Sequence, residues 1–333
     1  MPKINAPWEI KRTLLIKAEE ETDSSYGCKP EDRPINDYIR FGIINLDKPA
    51  GPSSHEVTAW LKRILNIKEA GHGGTLDPKV TGILPIGLLE ATKIIQALLI
   101  SGKEYICVTR LHKQMPENRI KEVLQEFQGT IYQRPPLRSS VKRQLRTRKI
   151  YYIDLLEIAD KDMLFKVGCE AGTYIRKLSY DIGQALGCGA HMQELRRTRA
   201  GPLTEKDNLV SLHDVSYYYA QWQQKNDEKP LRQFIKPMEK ALQLLPKIVI
   251  RDSAVDAICH GANLAAPGVL SLETNIITED TVALFTQKDE AVAMARALKS
   301  TEEIQKINRG LVAKTQRVLM PRGIYPKLWR GSQ

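Results

Sequence analysis

The sequence predicts an α+β fold, with a mixed, largely antiparallel sheet domain followed by a small β-barrel-like module. Three observations predict it. The middle of the chain mixes strand-like runs with amphipathic helical stripes, without the regular β-α-β alternation of a doubly wound sheet. Beyond Pro237, short apolar runs recur between turn residues, as in small barrels. The length of 333 residues exceeds the roughly 100–200 of one domain, leaving room for two cores.

Residues 1–40 are mixed in charge and carry Pro30, Pro34 and the polar cluster Glu19–Ser25, which reads as an extended arm. Gly42–Lys48 is strand-like. Ser53 and Glu56 then form a capping-box pattern ahead of Val57, Trp60, Leu61 and Ile64, an apolar stripe at helical spacing. After a Gly-rich loop at 71–74, Ala91, Ile94, Ile95 and Leu98 mark a helix and Tyr105–Leu111 a strand. Ile120, Val123, Leu124 and Phe127 make a short amphipathic helix that Gly129 stops. Ile150–Ile158 and Met163–Cys169 read as a strand pair, Thr173–Leu186 as a helix ended by Gly187, and Met192–Thr198 as a further strand. The polar stretch from Tyr217 to Pro237 ends at a boundary, giving an arm at 1–40, a larger domain at 41–240 and a smaller one at 241–333. In the last, Ile248–Ile250, a short helix Asp252–His260 stopped by Gly261, and the runs Val269–Leu272, Thr281–Phe285 and Ala291–Ala295 are expected.

Composition narrows the function. Apolar runs such as Ile94–Ile100 are too short to span a bilayer, so no membrane association is expected. Glu9, Lys11 and Arg12 interrupt any secretory signal beginning at Met1, and an intracellular, cytoplasmic protein is the expectation. Cys28, Cys107, Cys169, Cys188 and Cys259 are odd in number and form no C-x-x-C pair, which argues against disulfides and zinc. A net charge of +11 gives long-range attraction for polyanions. That charge is concentrated between residues 134 and 149, where Arg134, Arg138, Lys142, Arg143, Arg146, Arg148 and Lys149 stand without an acidic residue. His191, Arg196, Arg197 and Arg199 offer a second basic strand, or simply an exposed strand face.

Within GHGGTLDPKVTG, the glycines allow backbone geometries closed to other residues, and Pro78 pushes Asp77 toward an extended conformation. An acid is presented on a shaped loop. On local sequence alone, an Asx-turn or a cap is the commoner role for such an aspartate. The loop is not a phosphate-binding P-loop, since it lacks the Gly-Lys-Ser/Thr ending.

Four blocks in order carry a resemblance: INLDKPAGPSSHEV at 44–57, AGHGGTLDPKVTGILP at 70–85, GKEYICV at 102–108, and GTYIRKL at 172–178 followed by GCGAHMQELRRTRAGP at 187–202. Together they resemble the TruB-type pseudouridine synthases, and within them the dyskerin-type branch that works in box H/ACA guide-RNA particles. The resemblance implies that Asp77 is the catalytic aspartate, Arg176 its ionic partner and Tyr105 the aromatic that stacks on an extruded uracil. Tyr174 would line the pocket and hydrogen-bond near the carboxylate, Leu195 would pack beneath the base, and His72 would contact RNA beside the target nucleotide. The basic stretch corresponds to a loop that closes over RNA, and the C-terminal module to a PUA domain on which the N-terminal arm packs.

The implied reaction breaks the bond between the anomeric carbon and a ring nitrogen, turns the uracil and rejoins the sugar to a ring carbon. No cofactor or metal is expected. A carboxylate can serve as nucleophile or base, and an arginine opposite it would hold one orientation through charge and bidentate hydrogen bonding. A stacked base is out of reach, so the nucleotide must be flipped or unpaired. Stacking on an aromatic ring returns about 1–3 kcal/mol against an extrusion cost of a few kcal/mol.

Between Arg110 and Phe127 the chain is shorter than in stand-alone bacterial enzymes, and it stops soon after Trp329 without a long lysine-rich tail. The resemblance is therefore to an archaeal-type, guided enzyme acting on rRNA, with guide RNA and the small H/ACA core proteins as partners. A guide-independent synthase acting on the tRNA T-loop is the second reading, and a non-catalytic RNA scaffold the third.

Overall fold

The computed structural model describes residues 4–134 and 144–327. Two sheets organise them. The larger has eight strands in the order Ile235–Pro237, Gly42–Lys48, Thr81–Leu88, Ala190–Ala200, Lys103–Leu111, Asp162–Cys169, Arg146–Ala159 and Gly129–Gln133. Ala70–His72 adds to Thr81–Leu88, and Leu203–Thr204 to Ala190–Ala200. Pairing between these strands is antiparallel except at one join, where Thr81 and Gly82 run parallel to Arg196 and Arg197. Lys103–Leu111 alternates strictly between buried and half-exposed positions, the signature of a strand with one face on a core.

Two apolar clusters pack against this sheet. One gathers Leu76, Tyr105, Cys107, Phe165 and Val167 with Ile120 and Leu124 of the Glu117–Glu126 helix and Ile175, Leu178 and Ile182 of the Ile175–Ala185 helix. The other joins Ile44, Leu46, Leu84 and Ile86 to Val57 and Leu61 of the Ser54–Ile64 helix, whose Ser53/Glu56 capping box forms as expected.

The smaller sheet runs Leu14–Ile16, Val269–Glu273, Lys247–Ile250, Thr281–Phe285, Ala291–Ala297, Leu311–Val318 and Leu264–Ala265 around its own core. Its first strand comes from the arm, with Leu15 opposite Leu272. The arm also reaches the larger sheet, where Trp8 meets Tyr151 and Tyr152 edge-on and lies under the Arg199 guanidinium. A third cluster, with Phe41, Leu98, Met238 and Leu242 facing Phe285, Met294 and Leu319, joins the two sheets.

Some local features were not foreseen. The polar stretch from Tyr217 to Pro237 falls largely in helices Leu212–Lys225 and Lys229–Phe234 and the edge strand Ile235–Pro237. Its aromatics Tyr218, Tyr219 and Trp222 half-bury against the second cluster, so what reads as polarity is the solvent side. Gly129 opens a strand two residues after the Phe127 C-cap, and the helix expected around Ala91–Leu98 divides into a 3-10 segment, Leu89–Ile94, and a short α-helix, Ile95–Ile100. Thr81–Leu88 is a central strand despite Gly82, Pro85 and Gly87, residues that ordinarily argue against one. Gly82 has φ +100°, and a Cβ there would lie 2.3 Å from the Arg197 carbonyl oxygen, so the parallel join requires glycine.

Candidate active site

The Gly73–Val80 loop is held almost residue by residue. The Ser54 hydroxyl accepts from the Leu76 N–H at 2.8 Å and donates to the Leu76 carbonyl at 3.1 Å. The buried Lys48 ammonium donates to the carbonyls of Pro49, Pro78 and Val80 at 2.8–2.9 Å, and the Gly51 N–H to that of Pro78. Arg197 donates from Nη2 to the Gly74 carbonyl at 3.0 Å and from Nε to that of Ile83 at 2.7 Å. Asp77 therefore sits between two pinned neighbours, Leu76 and Pro78. Its backbone serves the turn, with the carbonyl accepting from the Val80 N–H at 2.9 Å.

The Asp77 carboxylate is thus free to face outward, where it meets the Arg176 guanidinium in an ion pair. The side chains are 55% and 53% exposed, so the pair opens to solvent. Arg176 projects from the first turn of the Ile175–Ala185 helix, whose inward residues Ile175, Leu178 and Ile182 leave it on the outer side. Tyr174 precedes that helix. Gln133, itself buried, grips the Tyr174 peptide from both sides: Oε1 accepts from the Tyr174 N–H at 2.9 Å and Nε2 donates to its carbonyl at 3.1 Å. Gln133 ends the Gly129–Gln133 strand, so the end of that strand is tied to the turn carrying Arg176.

Tyr105 belongs to the cluster that holds Leu76, and Leu195, opposite Cys107 on the neighbouring strand, packs against it. Burial raises the Tyr105 hydroxyl pKa, so the ring carries a neutral phenol. His72 lies on the Ala70–His72 strand with its ring 4.9 Å from that of His55. Burial lowers its pKa, as do the nearby His55 and Arg197, and a neutral imidazole results.

The structure thus brings Asp77, Arg176, Tyr105 and Leu195 onto elements sharing one core, with His72 on the strand leading into the same loop. Of the basic stretch, Arg134 is exposed and Arg146 and Arg148 are half-exposed; Arg148 lies against Gly172. Arg138, Lys142 and Arg143 lie outside the described residues. The second basic strand is only partly a free surface, with His191 exposed and Arg196 and Arg199 half-exposed. Arg196 forks onto Asp47 at 2.9–3.0 Å and reaches Glu205, Arg197 is buried, Arg199 covers Trp8, and His191 faces His112 at 3.1 Å. Consecutive arginines alternate across a strand, so one of them was bound to enter the core. Lys48, Ser54, Gln133 and Arg197 are the residues that reading by charge missed. The available signal was a lysine ending the apolar run Gly42–Leu46 and an arginine at the inward phase of its strand.

Comparison with known proteins decides the family. Residues 62–175 match the TruB family pseudouridylate synthase N-terminal domain, 176–243 the tRNA pseudouridylate synthase B C-terminal domain, 246–319 the PUA domain and 4–58 the DKCLD domain. Proteins described as probable tRNA pseudouridine synthase B are similar over nearly their whole length. That of Methanopyrus kandleri is 58% identical over 97% of this chain and 95% of its own, and that of Pyrococcus horikoshii 56% identical over 97% of each. The chain belongs to the TruB family of pseudouridylate synthases. As a TruB-family protein it is an isomerase that makes pseudouridine, with the family's catalytic domain followed by a PUA domain. Two solved structures share this whole architecture. A Cbf5-Nop10-Gar1 complex contains a chain 54% identical, with a TM-score of 0.94 over 97% of this chain and 98% of that one. An H/ACA RNP bound to a substrate RNA containing 2'-deoxyuridine contains one 52% identical, with a TM-score of 0.92 over 98% and 100%. Among the described residues, no helix is long and apolar enough to cross a membrane.

Proposed function

We propose that this TruB-family enzyme is the catalytic subunit of a box H/ACA particle, converting uridine to pseudouridine in rRNA selected by a guide RNA. Asp77 is the catalytic carboxylate, Arg176 orients it, and Tyr105 stacks on the extruded uracil. Leu195 packs beneath the base, Tyr174 lines the pocket and His72 meets the RNA beside the target. Arg134, Arg138, Lys142, Arg143, Arg146 and Arg148 receive phosphates.

One observation carries the reading: a carboxylate exposed on a pinned loop, paired with an arginine and set beside a tyrosine of the adjoining core. The guided mode is supported by similarity along the full chain to the protein of an H/ACA RNP holding substrate RNA. The small partners are the counterparts of those in the Cbf5-Nop10-Gar1 complex. We place the arm at 1–40, the catalytic domain at 41–240 and the PUA domain at 241–333. The setting is the reducing cytoplasm, in keeping with five free cysteines.

The names of the relatives favour a second reading, guide-independent action on the tRNA T-loop. Pseudouridine formation on rRNA-derived and tRNA substrates, with and without guide RNA and small partners, separates the two. Product on rRNA only when guide is present supports the guided enzyme. Product on tRNA alone, without guide, makes the second reading the correct one. RNA binding with no product from either substrate leaves a scaffold.

A further inference from the structure

Arg197 is a guanidinium with almost no exposure, and among the described residues no carboxylate lies within ion-pair distance of it. Its neighbour Lys103 is in the same position, with its ammonium held by the carbonyls of Leu98 and Ser101 at 2.7 and 2.6 Å. A buried, unpaired cation costs several kcal/mol, so an apolar residue would make a cheaper core. What Arg197 touches is more informative than where it lies. It ties Gly74, at the start of the Asp77 loop, to Ile83, at its far side, and stands directly opposite the buried Tyr105 across the two strands. Gly74 has φ +130°, and a Cβ there would sit 3.4 Å from Nη1, so the loop comes against the guanidinium with little to spare.

We infer that Arg197 is a positioning residue for the isomerisation: it fixes the tyrosine that receives the base relative to the loop that carries the acid. One residue grips the loop that carries the acid and faces the tyrosine across the strand pair, and the register of Tyr105 against Asp77 passes through it. The inference rests on the assignment of Asp77 and Tyr105 to that pocket. Arg197 meets the reaction through its neighbours, so its loss acts on the rate with bound RNA and leaves RNA capture alone. A lysine in its place keeps the charge but cannot fork onto the Gly74 and Ile83 carbonyls with one planar group.

The test is single-turnover release of tritium from C5-tritiated uridine in substrate RNA, using the complete complex with guide RNA, with RNA affinity measured in parallel. Arg197→Lys is expected to slow the step by ~10- to 100-fold at saturating RNA, as misplacement of a reacting group does, with affinity unchanged. Tyr105→Phe alters the side chain paired with Arg197 across the strands, and its loss should shrink in the Arg197→Lys background, because the two positions act as one unit. A wild-type rate for Arg197→Lys overturns the inference, as do losses that simply multiply in the double variant. Should Arg197→Lys not fold, Tyr105→Phe decides alone: a slower step with affinity retained supports the pairing, and an unchanged rate refutes it. Failure of the underlying site assignment is recognised separately, by Asp77→Asn releasing tritium at the wild-type rate.

Discussion

Asp77–Arg176 and Arg33–Glu239 are both arginine–carboxylate pairs, and their settings could hardly differ more. The first stands half in solvent on two separate elements. The second is buried, with two parallel hydrogen bonds of 2.7 and 3.1 Å, and Glu239 also accepts from the Ala291 N–H at 3.1 Å. Arg33 belongs to the arm, Glu239 to the segment closing the larger sheet and Ala291 to the smaller sheet, so that single pair joins three parts of the chain. A screened, exposed pair adds little to stability, whereas breaking a buried one strands a charge. The buried pair therefore serves the architecture, and the exposed pair is, under the proposed function, the one a nucleotide meets.

The comparison can be broken at either end. Glu239→Gln should show the largest effect on stability, a loss of about 3–5 kcal/mol from the unpaired Arg33, read by denaturant unfolding. A loss below about 1 kcal/mol would mean that the joint is held by the apolar cluster alone. Arg176→Lys keeps the charge and loses the planar fork. The expected outcome is a fall in rate on the order of 100-fold, about 2.7 kcal/mol of barrier, with no change in the unfolding midpoint.

Lys103 sharpens the contrast, because it is buried and, among the described residues, no acid pairs with it. Burial, reinforced by the Arg197 charge, pulls its pKa from 10.5 to about 7. Below pH 7 the amine is charged in both the folded and the unfolded chain. Between about 7 and 10.5 only the unfolded chain holds the proton, so stability rises with pH in that window. The slope should reach about 1.4 kcal/mol per pH unit relative to Lys103→Met, and equal slopes for the two proteins would contradict the placement. Smallest of all is the effect of Asp77→Asn on unfolding, under about 1 kcal/mol, as expected for a half-exposed pair.

The fold was legible where one face is buried and the other wet. Lys103–Leu111 and Ile175–Ala185 show their periods plainly, and the Ser53/Glu56 box announces its helix. It was illegible where tertiary contacts override local preference: Thr81–Leu88 survives two glycines and a proline because its neighbours approach too closely for larger residues. The site was legible in the same uneven way. The glycines around Asp77 mark a shaped loop but leave an Asx-turn or cap the commoner local reading, and its pairing with Arg176 spans 99 residues and follows from topology alone. Arg197 read as part of a basic strand, and Lys48 drew no reading of its own, because a count of cations does not say which of them end in a cage of carbonyls.

The most direct test is nucleoside analysis of substrate RNA after incubation with wild type and with Asp77→Asn, each first shown to bind that RNA equally well. Pseudouridine from the wild type, and none above about one part in 10,000 of its rate from the variant, is the expected result. Equal product from both would remove the carboxylate from the chemistry and contradict the account.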